Sequence, residues 1–137
     1  MRLLFRIFGL SIVGLIFTVM FIELISYNIR FDELSTISSL AMTNTQILAE
    51  EAIEDEYYLT NNARVKFMSD DEYVNCYIDN LKSLITSKSK YSVEVMGVDH
   101  KRGLLDLMIY AKYKRLDGSI KVIKTRKTSV IDVLLEA

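Results

Sequence analysis

Ile7-Phe-Gly-Leu-Ser-Ile-Val-Gly-Leu-Ile-Phe-Thr-Val-Met-Phe-Ile22 is a run of sixteen residues without a charge, and twelve of them are Ile, Leu, Val, Phe or Met. At about −0.4 kcal/mol each on a membrane-insertion scale, the twelve contribute roughly −5 kcal/mol, enough to carry one unfavourable neighbour. That neighbour is Glu23. A helix from Ile7 to Tyr27 is about 31 Å long and matches a hydrocarbon core, with Glu23 about 6 Å from its outer end. Residues 1–29 are therefore expected to form a single-pass transmembrane helix. The start, with Arg2 and Arg6, also resembles a secretory signal, but Glu23-Leu-Ile-Ser-Tyr-Asn-Ile-Arg30 offers no small-x-small cleavage site. An uncleaved signal anchor follows. Basic residues before the span and Asp32 and Glu33 after it place the N-terminus in the cytoplasm and residues 30–137 outside, at the cell membrane.

Outward from that stretch no helix breaker intervenes. Between Phe31 and Tyr57 there is neither Gly nor Pro, and Leu34, Ile37, Ala41, Leu48, Ala52 and Ile53 recur near helical spacing. The spacing predicts that the anchor continues as an amphipathic rod over 30–57. Asn61-Asn62 marks a connection. Ser69-Asp-Asp-Glu72 reads as a capping box opening a second helix over 70–87, with Val74, Tyr77, Ile78, Leu81, Leu84 and Ile85 as its apolar stripe.

The period then changes from helical to two. Tyr91, Val93 and Val95 alternate with Ser92, Glu94 and Met96, and Leu105, Leu107, Ile109, Ala111 and Tyr113 alternate with polar or outward positions. Turns are expected at Lys101-Arg102-Gly103 and Asp117-Gly118. Ile120 and Val122 begin a third strand, and Val130 to Leu135 extend it or make a short fourth. Residues 91–135 thus predict an antiparallel meander of three or four strands with one buried face, and the two helices are its available cover. The expected class is α+β: a long transmembrane-to-amphipathic helix plus a second helix packed on an antiparallel sheet.

Composition narrows function mainly by exclusion. The net charge of −1 and the absence of interleaved aromatics among the basic residues disfavour nucleic acid. One Cys and one His, Cys76 and His100, cannot assemble a disulfide framework or a zinc site by themselves. Cys76 reads as a half-buried helix residue and His100 as part of a polar turn. Asp70-Asp71-Glu72 lacks calcium-loop spacing and is better explained as helix capping. No phosphate loop and no nucleophile elbow is present. The expectation is a non-enzymatic protein with no cofactor, no metal and no small-molecule substrate.

Two groups of residues remain as candidate contacts. Ser11, Gly14 and Thr18 form a small-residue stripe on the span, suited to helix packing or simply tolerated in lipid. Glu23 beside them either pairs with a group on a neighbouring helix or is a helix-end acid wetted by headgroups. The second group is the basic run Lys112, Lys114, Arg115, Lys121, Lys124, Arg126 and Lys127, interrupted only by Asp117. Its counterpart is the 31–57 segment, with seven acids and no Lys or Arg. Such opposed charge either forms subunit contacts, holds the sheet on its own helix, or is solvated.

The combined organisation resembles type IV pilin-like proteins, and more narrowly the TadE-like pseudopilins of tight-adherence (Flp) pilus systems. The residues that carry the resemblance are Met1-Arg-Leu-Leu-Phe-Arg6 with the apolar run, Tyr27-Asn-Ile-Arg-Phe-Asp-Glu-Leu34 and Ala41-Met-Thr-Asn-Thr-Gln46. Gly103-Leu-Leu-Asp-Leu-Met108 and Lys127-Thr-Ser-Val-Ile-Asp132 add a strand pair of the kind common in such small proteins. The resemblance implies a membrane-anchored component of a Tad-type pilus or related secretion machine, in contact with other pilin-like or envelope membrane proteins or with copies of itself. Prepilin processing in that family requires Gly before the apolar run and Glu five residues after the cut. Here Gly9 is followed at that distance by Gly14, Gly14 by Val19, and Glu23 lies too late. An unprocessed accessory component is the expectation, with a single-pass scaffold or sensor subunit of another envelope complex as the alternative.

Overall fold

The computed structural model describes residues 2–58 and 69–130, with side chains over 2–49 and 69–130. Helix α1 runs unbroken over Arg2–Tyr58, 57 residues or about 85 Å. Helix α2 is Asp70–Leu84, and strands β1 (Lys90–Asp99), β2 (Leu104–Lys114) and β3 (Ile120–Ser129) follow. The strands form one antiparallel sheet in the order β1-β2-β3. The fold is α+β: both helices lie on one face of the meander, α1 over β3 and α2 over β1, and they touch each other. The expected connection over 58–68, apart from the helical Tyr58, and the expected continuation over 131–135 lie outside the described residues.

The core forms where these layers meet. Alternation along β2 places Leu105, Leu107, Ile109, Ala111 and Tyr113 on the covered face, all buried. From β3 only Ile123 joins the apolar core. Helix α1 contributes Leu34, Ile37, Ala41, Met42 and Ala49, at the spacing of one helical face. The same face buries two residues the hydrophobic pattern leaves out, Ser38 and Thr45. The Thr45 hydroxyl donates to Ala41 O at 2.7 Å and accepts from Asn80 Nδ2 at 3.1 Å, so its burial leaves no stranded donor. Small side chains here also let α2 approach closely.

Ser69 caps α2 as expected: its extended backbone presents the hydroxyl to Glu72 N at 3.2 Å. The helix stops at Leu84, earlier than the predicted residue 87, because Ile85 turns to extended backbone. Its deepest residues are Tyr73, Tyr77 and Leu81, at four-residue intervals. Tyr73 lies outside the stripe expected from sequence. It is buried whole because its hydroxyl donates to Gly103 O at 3.3 Å, as that of Tyr77 does to Ser38 O at 3.4 Å. In β1 a bulge between Val95 and Gly97 restores Val98 to the covered face opposite Leu105, while Val95 itself stays exposed at the edge.

Among the described residues, no helix lies over the other sheet face. There Arg126 makes paired hydrogen bonds to Asp106 at 2.9 and 2.5 Å, and Thr128 donates to the same carboxylate at 2.8 Å. Those bonds hold the Asp106 carboxyl down at about 2.

Burial sets an alkaline limit on this core. It pushes the phenols of Tyr73 and Tyr77 up to about 12 from an ordinary 10. Folding thus favours the protonated form, so the contribution is complete below pH 10 and disappears as pH rises through 12. Cooperative loss of near-ultraviolet circular dichroism is expected in that window, and Tyr73→Phe should move it upward. Ionisation of all eight tyrosines near pH 10, seen as phenolate absorbance with tertiary signal intact, would contradict the buried placement.

Candidate functional site

The first 21 residues of α1, Arg2–Ile22, are exposed throughout, and only Ile22 at their end lines the clefts beside the described domain. By length and composition α1 is able to cross a membrane: its most apolar window has a mean hydropathy of 2.3 and no part of it is buried. Contact with the domain begins at Glu23, and a collar of charged and aromatic groups forms there between α1 and the β2–β3 hairpin.

Each rung of the collar comes from one helical face and a cation or ring on the sheet. The Arg115 guanidinium donates to the Glu23 carboxylate as an ion pair, with 36% and 23% of the two side chains exposed. One turn higher, Lys121 Nζ sits 4.2 Å from the centre of the Tyr27 ring. Next, Arg30 lies 4.6 Å over the Tyr113 ring and donates to Ser89 Oγ at 3.0 Å. Lys127 reaches Ser35 Oγ at 3.4 Å. Residues 23, 27 and 30 recur at i, i+4 and i+7, so the hairpin lies along one face of the helix. Both cation–π contacts suit part-buried sites, because the ring face holds the charge while its remaining donors stay wet.

The turn that delivers Arg115 is locally determined. Arg115 N donates to Ser119 O at 2.8 Å and Gly118 N to Arg115 O at 3.0 Å. Gly118 sits at φ +84°, a conformation that a Cβ would strain. Asp117 accepts from Ser119 N at 2.8 Å and Ser119 Oγ at 2.6 Å. Those two bonds pull the Asp117 carboxyl below its ordinary value.

Two clefts flank the helix at this level. One, of about 170 Å³, is lined by Glu23, Ser26, Arg30, Lys114, Arg115 and Lys121 among others: four cations to one acid. The other, of about 540 Å³, lies against Ile22, Ile25, Ile29, Ser87 and Lys88.

The structure therefore divides the basic run. Arg115, Lys121 and Lys127 hold the sheet on its own helix, and Arg126 is spent on Asp106. Lys112, Lys114 and Lys124 are exposed. Glu23 meets a partner 92 residues away in the same chain, Arg115. Tyr27, Arg30 and Tyr113 belong to the collar although nothing local in the sequence distinguishes them. The stripe on the free helix is exposed. Ser11 Oγ donates to Ile7 O at 3.0 Å and Thr18 Oγ1 to Gly14 O at 2.9 Å, so both hydroxyls are satisfied within the helix.

At the opposite end of the domain, Asp70, Asp99 and His100 offer ligand-type atoms within 4.8 Å of one another. Their atoms are already employed. Asp70 Oδ1 accepts from His100 N at 2.8 Å and lies 2.6 Å from His100 Nδ1, and the bonds from His100 hold its pKa below the usual carboxylate value. Asp99 Oδ1 accepts from Lys101 N at 3.1 Å and Arg102 N at 3.3 Å. The trio is a staple between the start of α2 and the β1–β2 turn. Cys76 is half-buried and packs against the core.

The chain matches no known protein family, no curated protein and no solved structure.

A double-mutant cycle measures the lowest rung. Glu23→Gln and Arg115→Gln, singly and together, should show a coupling of about 0.5–1 kcal/mol in unfolding free energy, as expected for a part-exposed pair. Faster amide exchange confined to the Arg115–Ser119 turn should accompany each single change. Strict additivity would mean that the two side chains do not stabilise each other.

Proposed function

We propose that this chain is a non-enzymatic, single-pass membrane protein acting as a pseudopilin-like component of a Tad-type pilus or related secretion machine. The observation that carries the reading is one uninterrupted helix with two environments. Its free part, Arg2–Ile22, carries the uncharged run from Ile7 that, continued to Tyr27, is about 31 Å long, the thickness of a hydrocarbon core, and its continuation is the spine against which the sheet packs. That is the organisation of the pilin-like proteins the sequence resembles. The anchor lies in the cell membrane with Arg2 and Arg6 on the cytoplasmic side and the α+β domain outside.

Contacts with other pilin-like or envelope membrane proteins, or with further copies, use the surfaces the domain leaves open. These are the Ser11-Gly14-Thr18 stripe and the exposed Lys112 and Lys124. A non-enzymatic role accords with a sequence that has one His and one Cys and so no second His or Cys pair to complete a site. The absent Gly-to-Glu processing spacing favours an accessory component over a processed filament subunit.

Four measurements test the reading. A reporter active only in the cytoplasm, fused after Ala137, should be silent, and protease added to intact protoplasts should remove the domain; strong reporter activity would overturn the orientation. Intact mass of the membrane-extracted protein should correspond to the full chain, with or without Met1. A mature form beginning between Gly9 and Tyr27 would replace the accessory role with that of a processed subunit. Tagged protein extracted in mild detergent should bring down products of adjacent secretion genes, and recovery of the protein alone would count against the machine.

A further inference from the structure

The hairpin tip combines level, exposure and charge in a way the collar does not use. Because Arg115 is paired with Glu23, the adjacent Leu116 sits beside Ile22, at the outer end of the free helix. Along α1, exposed apolar residues continue past that point at Leu24, Ile25 and Ile29 to Phe31, with Ile25 and Ile29 lining the second cleft and Phe31 stacked on Tyr27. Phe31 is nine residues beyond Ile22, about 13 Å along the axis. The tip thus hangs below the top of the helix's own apolar belt.

Leu116 and Ile120 are 71% and 74% exposed, as open as Leu3, Phe5 and Leu10 in the free helix and more so than any other apolar residue of the described domain. Leaving two such side chains in water is unfavourable, and a second protein surface is not needed to cover them when the bilayer lies at the same height. Around them the charge is positive. Lys114 is the cross-strand partner of Ile120, Lys112 neighbours it on the same sheet face, Lys90 pairs in register with Lys112, and Lys88 lines the second cleft. Of the acids at this end, Glu23 is paired with Arg115, while Asp117 in the tip itself is held ionised by its bonds from Ser119, so the lysines outnumber it. Glu33 faces the cleft that holds Lys88.

We propose that the β2–β3 tip is a second membrane contact, inserting Leu116 and Ile120 at the bilayer interface while Lys88, Lys90, Lys112 and Lys114 meet the phosphates of anionic lipids. Apolar side chains ringed by lysines suit that boundary, where the stems lie along the acyl region and the ammonium groups stay with the headgroups. The proposal rests on the membrane-anchor reading and adds a specific lipid-facing element to it.

The test uses the full chain with Cys76→Ser (Cys76→Ala as a second background), reconstituted at one copy per nanodisc. Single cysteines at Leu116→Cys, Ile120→Cys, Lys101→Cys and Leu15→Cys carry an environment-sensitive dye. The discs are phosphatidylcholine with or without phosphatidylglycerol. Labels at 116 and 120 should be blue-shifted and quenched by lipid-borne nitroxide at shallow depth, with 101 water-like and 15 deep. Lys112→Glu and Lys114→Glu should each shift the docked-to-undocked ratio by about fivefold in the phosphatidylglycerol discs.

Water-like labels at 116 and 120 with a deep label at 15 would overturn the hairpin contact and leave the anchor standing. A water-like label at 15 would overturn the anchor, and with it this inference. Blue shifts seen only with several copies per disc would assign the tip to protein contact instead, and insensitivity to the Lys→Glu changes would overturn the anionic-lipid assignment.

Discussion

One cluster decides the architecture: the β2 face of Leu105, Leu107, Ile109, Ala111 and Tyr113 shares a single core with Leu34, Ile37, Ala41 and Met42 of α1 and Tyr73, Tyr77 and Leu81 of α2. A three-stranded meander has no second sheet to cover it, and its apolar side is unstable in water. Truncating a single buried Leu or Ile there to Ala would cost about 2–5 kcal/mol, a large share of what a domain of this size has in total. The spine that covers the sheet is also the free apolar helix, so domain and anchor share one element. Once Leu34 and Ile37 are seated on the sheet, the helical repeat brings residues 23, 27 and 30 round to the hairpin. The collar then follows from the packing above it.

How well each part could be read from sequence depends on the range over which its signal acts. Strict alternation from Leu105 to Tyr113 is a local signal, and the whole β2 face is where it says. The continuation of the helix beyond Phe31 follows equally from the absence of Gly and Pro between Phe31 and Tyr57, and the Ser69 cap from four adjacent residues. The helix-to-helix seam was not legible. Ser38 and Thr45 look like solvent-facing residues until Tyr77 and Asn80 arrive from α2 to bond Ser38 O and the Thr45 hydroxyl. Tyr73 was likewise hidden, because its partner is a backbone carbonyl thirty residues on.

The collar marks the limit of such reading. Opposed charge along the chain indicates that basic strands and an acidic helix attract, but not which groups meet. The acids of the upper helix were the conspicuous counterpart; among the described residues Arg115 engages Glu23, below them and isolated within an apolar stretch. Its partner Arg115 depends on a hairpin whose position is set by the core, 92 residues distant in sequence. Lys112 and Lys124 have the same composition as Arg115 and Lys121 but project from the other sheet face, a difference made by strand parity alone.

The continuity of α1 has a mechanical consequence. With no break between Ile22 and Ala49, about 40 Å of helix projects from the end of the free segment as a stiff lever. In the proposed anchor, an ordinary tilt of about 20° would swing the upper end sideways by roughly 14 Å. Local bilayer thickness, which sets tilt by mismatch, would therefore steer where the far end of the domain reaches. A kink or a glycine-rich joint would absorb that motion; this helix transmits it.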